Sequence, residues 1–460
     1  SYVIASPLVF PHLKTVIKEF SRLVVEKQFW ISLSSSVLRV LEAFILTLFL
    51  GTILGLASGF WNGVKSFLFF PLSIIRTTPV VAVIMIMLFW FDSKTLPVIC
   101  AVLMGLPLMT DSVCKAVRQT DKKLLEMAYV FKLSSFTKLS CVYIPCIKPY
   151  FVGAAHTVFS QGWKVVAAGE ILALPRNALG TMLQDSRIIL DTPKVFALTV
   201  SLSLLCIVSE KIFFGLCKLV MIVSSKCRRH ICDGAFAVMS SDSDTSVFLK
   251  PKDLQTASLP DTAVNIKNLS FSYKTETVER KIFSDFSIDF ESHKKTAIVS
   301  PTGSGKTTLL KILSGIIPSS QWTGTVLCPE VSVIFQEDRL VLGITVLKNV
   351  ALPLFSIMKK EDAYKRAFYY LDKVGLRERA YSFPDDLSGG ERQKVQAARA
   401  FAFPSSVILM DEGTNSLDEN SKKAHWALIE NLLVEETRTL IFVTHDEREA
   451  KEHAECIVSI

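Results

Sequence analysis

Long apolar runs fill the first half of this 460-residue chain and are almost absent from the second half. An α-helix needs about 20 mainly apolar residues to cross the hydrocarbon core of a bilayer. Segments of that length and composition restrict residues 1–223 to a helical membrane domain, because in lipid every backbone polar group must be bonded internally. From residue 263 onward, charged residues alternate with short strand and helix patterns that are typical of a soluble α/β domain.

The composition supports this division. Half of the residues are hydrophobic and 20% are charged, which excludes a disordered or collagen-like chain. The net charge of +8 is not gathered into a stripe of lysines and arginines, so no nucleic acid partner is expected. A serine-rich, turn-prone composition predicts a linker at residues 224–262, which joins the membrane domain at 1–223 to the soluble domain at 263–460.

Five apolar segments are candidate membrane spans. The most basic short loop lies between the third and the fourth, and the positive-inside rule places this loop in the cytoplasm. Two further crossings then leave the soluble domain in the cytoplasm. Counting back puts Ser1 outside, so we expect a sixth, N-terminal span in the native protein and an amphipathic outer segment near residues 6–30. The candidate spans are residues 37–60, 67–90, 96–109, 142–166 and 195–221.

A glycine-rich loop follows a predicted strand at 296–299 and precedes a helix-forming run at 309–313. In this strand-loop-helix context, Gly303 and Gly305 let the backbone curl so that its N–H groups point at phosphate oxygens. The pattern therefore predicts a P-loop, or Walker A motif. Its residues are Gly303, Ser304, Gly305, Lys306, Thr307 and Thr308.

Two side chains of the loop carry distinct chemistry. Lys306 is placed to neutralise phosphate charge, and the Thr307 hydroxyl is placed to bind Mg²⁺. Ser300 departs from the pattern, because it stands where the first glycine is usual. If that position needs a positive φ, serine costs about 1 kcal/mol there.

Two more segments carry candidate site residues. A buried strand at 407–412 ends in Asp411, which is placed to hold Mg²⁺, and Glu412, which is placed to act as general base on the attacking water. A second glycine-bearing turn, Ser388-Gly389-Gly390, opens a helix and offers another anion site. Two phosphate cradles in one domain are expected if each serves a different nucleotide.

These segments closely resemble the ATP-binding cassette (ABC) family over residues 264–460. Tyr273, Gln336, Asp418 and His445 stand in the order of that family. The resemblance implies ATP and Mg²⁺ as cofactors, with the second cradle reaching the ATP of a partner copy. It assigns adenine stacking to Tyr273, Mg²⁺ and water contact to Gln336, coupling of the two sites to Asp418 and γ-phosphate sensing to His445.

The first half resembles binding-protein-dependent permeases. The basic loop around Glu126, Ala128 and Lys132 is similar to the Glu-Ala-Ala (EAA) loop of bacterial importers, whose short helix docks on the ATPase; Lys132 replaces that family's glycine. Other stretches between residues 30 and 222 resemble the nitrate, sulfonate and taurine group. Ionisable residues inside such helices are candidates for the solute pathway. They are Arg76, His156, Lys164 and Glu170.

The resemblance implies an all-α polytopic membrane domain followed by an α/β P-loop NTPase domain of the ABC cassette type. We expect a homodimeric, ATP-hydrolysing importer in a bacterial cytoplasmic (inner) membrane, which receives solute from a separate extracytoplasmic substrate-binding protein. The cargo is expected to be a small solute, similar to sulfonate, nitrate or taurine, or a vitamin precursor. An ABC exporter and a non-transporting ATP-binding scaffold are the alternatives.

Overall fold

The computed structural model describes residues 11–241, 262–274, 279–301, 303–412 and 419–460. The chain divides into two compact units. The first comprises the described residues up to Thr120 together with Cys146–His230, and the second comprises Asp121–Pro145 together with the described residues from Ile231 onward. The segment that was predicted to dock on the ATPase therefore belongs to the same unit as the ATPase.

Residues 11–241 are helical almost throughout. A short π-helical stretch at Lys138–Tyr143 precedes the eighth helix. The tenth helix continues through the first part of the predicted linker, to Ser241, and the rest of that linker lies outside the described residues up to β1. The helices are α1 (Leu13–Val25), α2 (Lys27–Phe60), α3 (Asn62–Thr77), α4 (Val80–Met87), α5 (Leu96–Arg118), α6 (Lys122–Val130), α7 (Ser135–Thr137), α8 (Ile144–Ala173), α9 (Leu179–Ile188) and α10 (Thr192–Ser241).

Fewer helices than predicted satisfy the requirements for a membrane span. Among the described residues, three are long and apolar enough: α2, α5 and the Thr192–Leu216 part of α10. The pair α3 and α4 makes a fourth if it counts as one span. Helix α8, which contains most of the predicted span at 142–166, is not among them.

The predicted single span at 67–90 is wrong as a continuous helix. Helices α3 and α4 are bent by 102° at the break between them. Pro79 explains the break, because proline lacks an N–H and pushes the preceding residue out of the helical region. Thr78 accordingly has an extended backbone, with φ −74° and ψ 131°.

Helices α2 and α5 approach each other closely along a row of glycines. A Cβ at Gly51 would lie 2.6 Å from the Cβ of Met109, and a Cβ at Gly55 would lie 2.6 Å from that of Val113. Small residues at four-residue spacing let two helix backbones pack tightly, which is how helices associate where no hydrophobic force acts between them.

A buried ion pair joins α2 to α8. The carboxylate of Glu170, 1% exposed, lies 2.8 Å from the guanidinium Nη1 of Arg39. It also accepts hydrogen bonds from the Ser36 hydroxyl (2.9 Å) and the Gly180 N–H (3.1 Å). Because buried charges are tolerated only when they are paired and bonded, this closed network favours a structural role for Glu170 over a place in the solute pathway.

The soluble part contains two sheets, and its strands confirm those predicted at 264–273, 296–299 and 440–443. One sheet is antiparallel with the order β2-β1-β4, and the other is parallel with the order β5-β6-β7-β3-β8. The strands are β1 (Thr262–Lys274), β2 (Glu279–Glu291), β3 (Lys295–Val299), β4 (Thr323–Leu327), β5 (Val331–Ile334), β6 (Val407–Asp411), β7 (Thr439–Thr444) and β8 (Cys456–Ser459).

Helices pack on the parallel sheet and bury its inner strands, whereas the edge strand β8 is partly exposed. Strand β7, for example, is buried at every position, as expected for a continuous apolar run inside a parallel sheet. The helices of this part are α11 (Lys306–Leu313), α12 (Val346–Ala351), α13 (Lys360–Lys373), α14 (Gly389–Ala402), α15 (Glu419–Glu436) and α16 (Glu447–His453).

Helix α15 carries a buried histidine, which is uncharged at neutral pH. His425 is 3% exposed, and its Nε2 has no hydrogen-bond partner among the described residues. Burial lowers the pKa of this imidazole to about 4, and the nearby Lys394 acts in the same direction. On unfolding, the imidazole regains its ordinary pKa of 6.5. Between pH 6.5 and about 4, the unfolded chain therefore binds a proton at His425 that the folded chain does not bind.

We therefore expect the stability of this unit to fall as the pH decreases from 6.5 toward about 4. Replacing His425 with glutamine, which does not titrate, should reduce the loss of Tm between about pH 7.5 and about pH 5. The comparison is made by thermal unfolding of the full chain in detergent, with the exposed His12→Gln as matched control. An unchanged pH dependence in His425→Gln contradicts the assignment.

Candidate active site

The predicted site residues follow the carboxyl ends of neighbouring parallel strands. The P-loop follows β3, Asp411 ends β6 with Glu412 directly after it, and His445 follows β7. Strand β7 pairs with both β3 and β6, and Asp411 lies opposite Val443. This edge of an open parallel sheet is where such folds bind their ligands.

Two glycines shape the P-loop through conformations that other residues avoid. Gly303 has φ 88° and Gly305 has φ 106°. A Cβ at Gly305 would lie 2.6 Å from the Cγ2 of Ile282, so both the backbone angle and the close approach of β2 require glycine. Helix α11 begins directly after Gly305, and no side chain caps its N-terminus. Its first N–H groups are therefore left for a ligand.

The side chains of the loop suit a phosphate. Lys306 is 6% exposed, and its ammonium donates to the backbone carbonyls of Ser300 and Pro301, the latter at 3.1 Å. The Ser304 hydroxyl is buried and has no hydrogen-bond partner among the described residues. Among the described residues no carboxylate pairs with the Lys306 ammonium. An anion would satisfy both this ammonium and the Ser304 hydroxyl, so the residues fit the phosphates of ATP.

Ser300 does not carry the strain that its substitution for glycine led us to expect. It is absent from the described residues with positive φ, so serine is compatible with its backbone. The side chain is 6% exposed, and its hydroxyl donates to the backbone carbonyl of Ile460. The P-loop therefore tolerates this departure from the family pattern.

The residues predicted to hold Mg²⁺ lie together. The Thr307 hydroxyl donates to the Asp411 carboxylate at 3.2 Å, and the Gln336 amide donates to the Glu412 carboxylate at 3.2 Å. Burial raises the pKa of Asp411, so a cation at this position would stabilise its ionised form. Among the described residues no three His, Cys, Asp or Glu side chains cluster as metal ligands, so a Mg²⁺ ion here would need phosphate and water oxygens.

Glu412 adopts a strained backbone at the end of β6. Its φ is 44°, in the left-handed region, and its N–H donates to the carbonyl of Val443 at 3.2 Å. A non-glycine residue in this region is rare and is often found at functional sites. Asp418 and Gly413, which follow, lie outside the described residues.

Tyr273 stands at the end of β1 beside the P-loop helix. Its hydroxyl lies 3.4 Å from the Thr308 hydroxyl, and its side chain is 44% exposed. It borders an open cleft of about 990 Å³, whose lining includes Phe271 and Trp322. Adenine stacking on Tyr273 stays a prediction, and the exposed ring leaves room for it.

The second glycine-bearing turn forms a capped but exposed helix start. The Ser388 hydroxyl accepts the Glu391 N–H at 3.3 Å, while the Glu391 carboxylate accepts the Ser388 N–H at 2.8 Å. This backbone bond lowers the pKa of Glu391. Ser388 and Gly389 are exposed, Gly390 is half-buried, and the Cβ position of Gly389 faces open space.

The segment that follows Gln336 contacts the predicted docking helix α6. Arg339 lies 2.8 Å from the carboxylate of Glu126, and Glu337 pairs with Lys123. The sequence predicted Gln336 as a site residue but did not predict the contacts of Arg339 and Glu337. The available signal was the charged run at 337–339, together with the residues of both signs in the loop that contains Lys123 and Glu126.

Lys132 occupies the position that explains the family's glycine. Lys132 follows α6 and has φ 48°, which lies in the left-handed region. The Leu133 N–H donates to the Ala128 carbonyl and completes the C-terminal cap of α6. Lysine costs about 1 kcal/mol more than glycine in this conformation. Its ammonium lies 2.6 Å from the Glu330 carboxylate, so the substitution adds an ion pair to the same contact.

Comparison with known proteins finds two families in the chain. The profile described as "ABC transporter" matches residues 283–415, and the profile described as "Binding-protein-dependent transport system inner membrane component" matches residues 47–214. Within the solved structures, the dimeric structure of MJ0796, a bacterial ABC transporter cassette, is 28% identical, covers 43% of this chain and 94% of that chain, and has a TM-score of 0.39.

Curated relatives match the second half of the chain. The uncharacterized ABC transporter ATP-binding protein Rv0986 of Mycobacterium tuberculosis is 31% identical over 217 residues, which are 43% of this chain and 86% of that protein. The aliphatic sulfonates import ATP-binding protein SsuB 1 of Paracoccus denitrificans is 35% identical over 191 residues (41% and 75%). The lipoprotein-releasing system ATP-binding protein LolD of Hydrogenovibrio crunogenus is 32% identical over 205 residues (41% and 89%).

Ser300→Gly is expected to change the affinity for ATP by less than about twofold, because the backbone needs no glycine and the hydroxyl bonds outside the phosphate cradle. Lys306→Ala is the comparison and should weaken binding about tenfold or more, because it removes the buried ammonium. Titration with a fluorescent ATP analogue measures both. Clearly tighter binding by Ser300→Gly contradicts the interpretation.

Proposed function

Because the chain belongs to the ABC transporter family and joins a permease to an ATPase, we propose that two copies form an importer for a small solute. The ATPase binds ATP, and its hydrolysis is coupled to transport across the membrane. We further propose the division into a permease at 1–223, a linker at 224–262 and a cassette at 263–460. The location proposed is a bacterial inner membrane, with the cassette in the cytoplasm.

The carrying observation is the contact between the docking segment and the cassette. Helix α6 presents Glu126 and Lys123 to Arg339 and Glu337, which lie within three residues after Gln336. Gln336 in turn bonds Glu412. A movement of Gln336 at the site would therefore be passed to Glu337 and Arg339, which contact α6. This arrangement supports coupling of hydrolysis to transport.

Two copies are proposed because each chain carries one P-loop and one exposed second cradle. Ser388 and Gly389 stand at a helix start that faces open space, and the buried Ser304 hydroxyl of the P-loop has no hydrogen-bond partner within the described residues. In the proposed dimer the second cradle of one copy completes the ATP site of the other. Helix starts of this kind favour phosphate, because N–H groups and the helix dipole point toward the ligand.

The proposed chemistry assigns a separate task to each group of side chains. Lys306 and Ser304 bind the phosphates, and Thr307, Asp411 and Gln336 would hold Mg²⁺, which supplies charge neutralisation at the phosphates. Glu412 accepts a proton from the attacking water at its carboxylate.

His445 is proposed to contact the γ-phosphate, and Asp418 to couple the two sites. Both assignments come from the family resemblance.

The cargo proposed is an anionic or zwitterionic small solute delivered by a separate binding protein. The relative SsuB 1 is an aliphatic sulfonates import protein, which supports this class. Of the candidate pathway residues, Arg76 pairs with Asp111 at 3.2 Å and His156 lies 3.9 Å from Glu210. Lys164 has no ion pair within the described part of the chain and is therefore the candidate for attracting an anion.

An exporter is the second candidate, because LolD, a lipoprotein-releasing protein, also matches the cassette. Transport by membrane vesicles with and without the binding protein separates the two directions. Uptake that needs the binding protein supports the importer, whereas export without it supports the rival.

Glu412→Gln should lower phosphate release by the full chain about 100-fold or more, while the affinity for ATP stays within about threefold. The amide cannot accept the proton, although it keeps the size of the side chain. The exposed Glu361→Gln on α13 is the matched control. Equal background rates in the wild type and in Glu412→Gln favour the non-transporting scaffold.

Charge reversal tests the docking contact. Glu126→Arg and Arg339→Glu each place like charges together, so each should lower the rate of ATP hydrolysis in nanodiscs about threefold or more. The double variant restores an ion pair and should recover most of the rate. Additive losses in the double variant contradict a direct contact between the two side chains.

A further inference from the structure

One carboxylate, that of Glu449, holds the turn that carries His445. Glu449 lies on α16, one helical turn after His445. Its two oxygens accept from different elements: Oε2 accepts from the Thr444 hydroxyl at the end of β7, and Oε1 accepts from Trp426 Nε1 on α15 at 2.7 Å.

The first of these bonds fixes the residue before His445. Thr444 is 1% exposed, and its hydroxyl has one proton, which goes to Glu449. The oxygen of the same hydroxyl accepts the Asp446 N–H at 3.1 Å. Glu449 therefore sets the orientation of a hydroxyl that links the residue before His445 to the residue after it.

The residue after His445 is also held. The Asp446 carboxylate accepts the Arg448 N–H at 2.8 Å and caps α16. With Thr444 and Asp446 both held, the backbone of His445 has a defined direction. The fixed position of the His445 backbone depends on the Thr444 hydroxyl, and therefore on Glu449, which accepts the proton of that hydroxyl.

The second bond joins the turn to α15. Trp426 is 2% exposed, and its ring stacks on His453 with centroids 4.3 Å apart and planes at 8°. Helix α15 is the first described element after residues 413–418, which include Asp418. The link therefore runs from the His445 turn to the helix that follows the predicted coupling residue.

We propose that Glu449 is a positioning residue for ATP hydrolysis, which holds the His445 turn in place through Thr444. The inference rests on the proposed role of His445. Two donors on opposite sides need two acceptor oxygens, which a carboxylate supplies and an amide does not. Glu447, also on α16, is the contrast: its side chain is 76% exposed and pairs with Lys451 at 3.8 Å.

The test measures kcat, KM for ATP, ATP affinity and Tm on the full chain in nanodiscs. Glu449→Gln and Thr444→Val are each expected to lower kcat about tenfold or more, with ATP affinity within about twofold. Thr444→Ser keeps the hydroxyl and should retain kcat within about threefold of the wild type. Glu447→Gln is the matched control and should behave as the wild type.

A kcat of Glu449→Gln close to that of the wild type overturns the inference, as does a loss in Thr444→Ser equal to that in Thr444→Val. A lower Tm with unchanged kcat also overturns it, because it shows a purely structural role. If Glu449→Gln does not fold, the two Thr444 variants decide alone. His445→Ala separates the two proposals. Wild-type kcat in His445→Ala refutes the role proposed for His445 itself. A lower kcat in His445→Ala together with wild-type kcat in Glu449→Gln refutes only the positioning role of Glu449.

Discussion

The parallel pairing of β3, β6 and β7 is the constraint on which the site depends. Parallel neighbours end at the same edge, so residues that are more than a hundred positions apart along the chain are brought together there. Thr307 and Asp411 are 104 residues apart, and their side chains meet at 3.2 Å. No local motif produces this meeting, because it follows from the register of the sheet.

The segment after β5 distributes contacts to three parts of the cassette unit. The Phe335 N–H bonds Gln396 of α14, Gln336 bonds Glu412, and Glu337 pairs with Lys123 of the docking helix. One short strand end therefore touches helix α14, the proposed general base Glu412 and the segment that is proposed to dock.

The two residues that follow extend these links. Asp338 lies 3.4 Å from Arg392 on α14, and the Arg339 carbonyl accepts from Arg399 at 2.8 Å. Arg399 is fully buried against the ring of Phe131, which follows α6, and burial lowers the pKa of its guanidinium to about 9, so it stays charged at neutral pH. The docking segment is thus in contact with α14 as well as with the strand end.

The sequence by itself determined that a helical membrane part precedes an ATPase part, and it predicted the P-loop, the paired carboxylates and the docking loop, because each depends on local patterns of apolarity, glycine and charge. It did not show the bend at Pro79 within an apolar run, nor the continuation of α10 to Ser241. Only the tertiary structure decided that Glu170 is enclosed by Arg39 and that Glu449 joins β7 to α15. Those partners lie on different elements, and their pairing depends on how helices and strands pack rather than on any spacing along the chain.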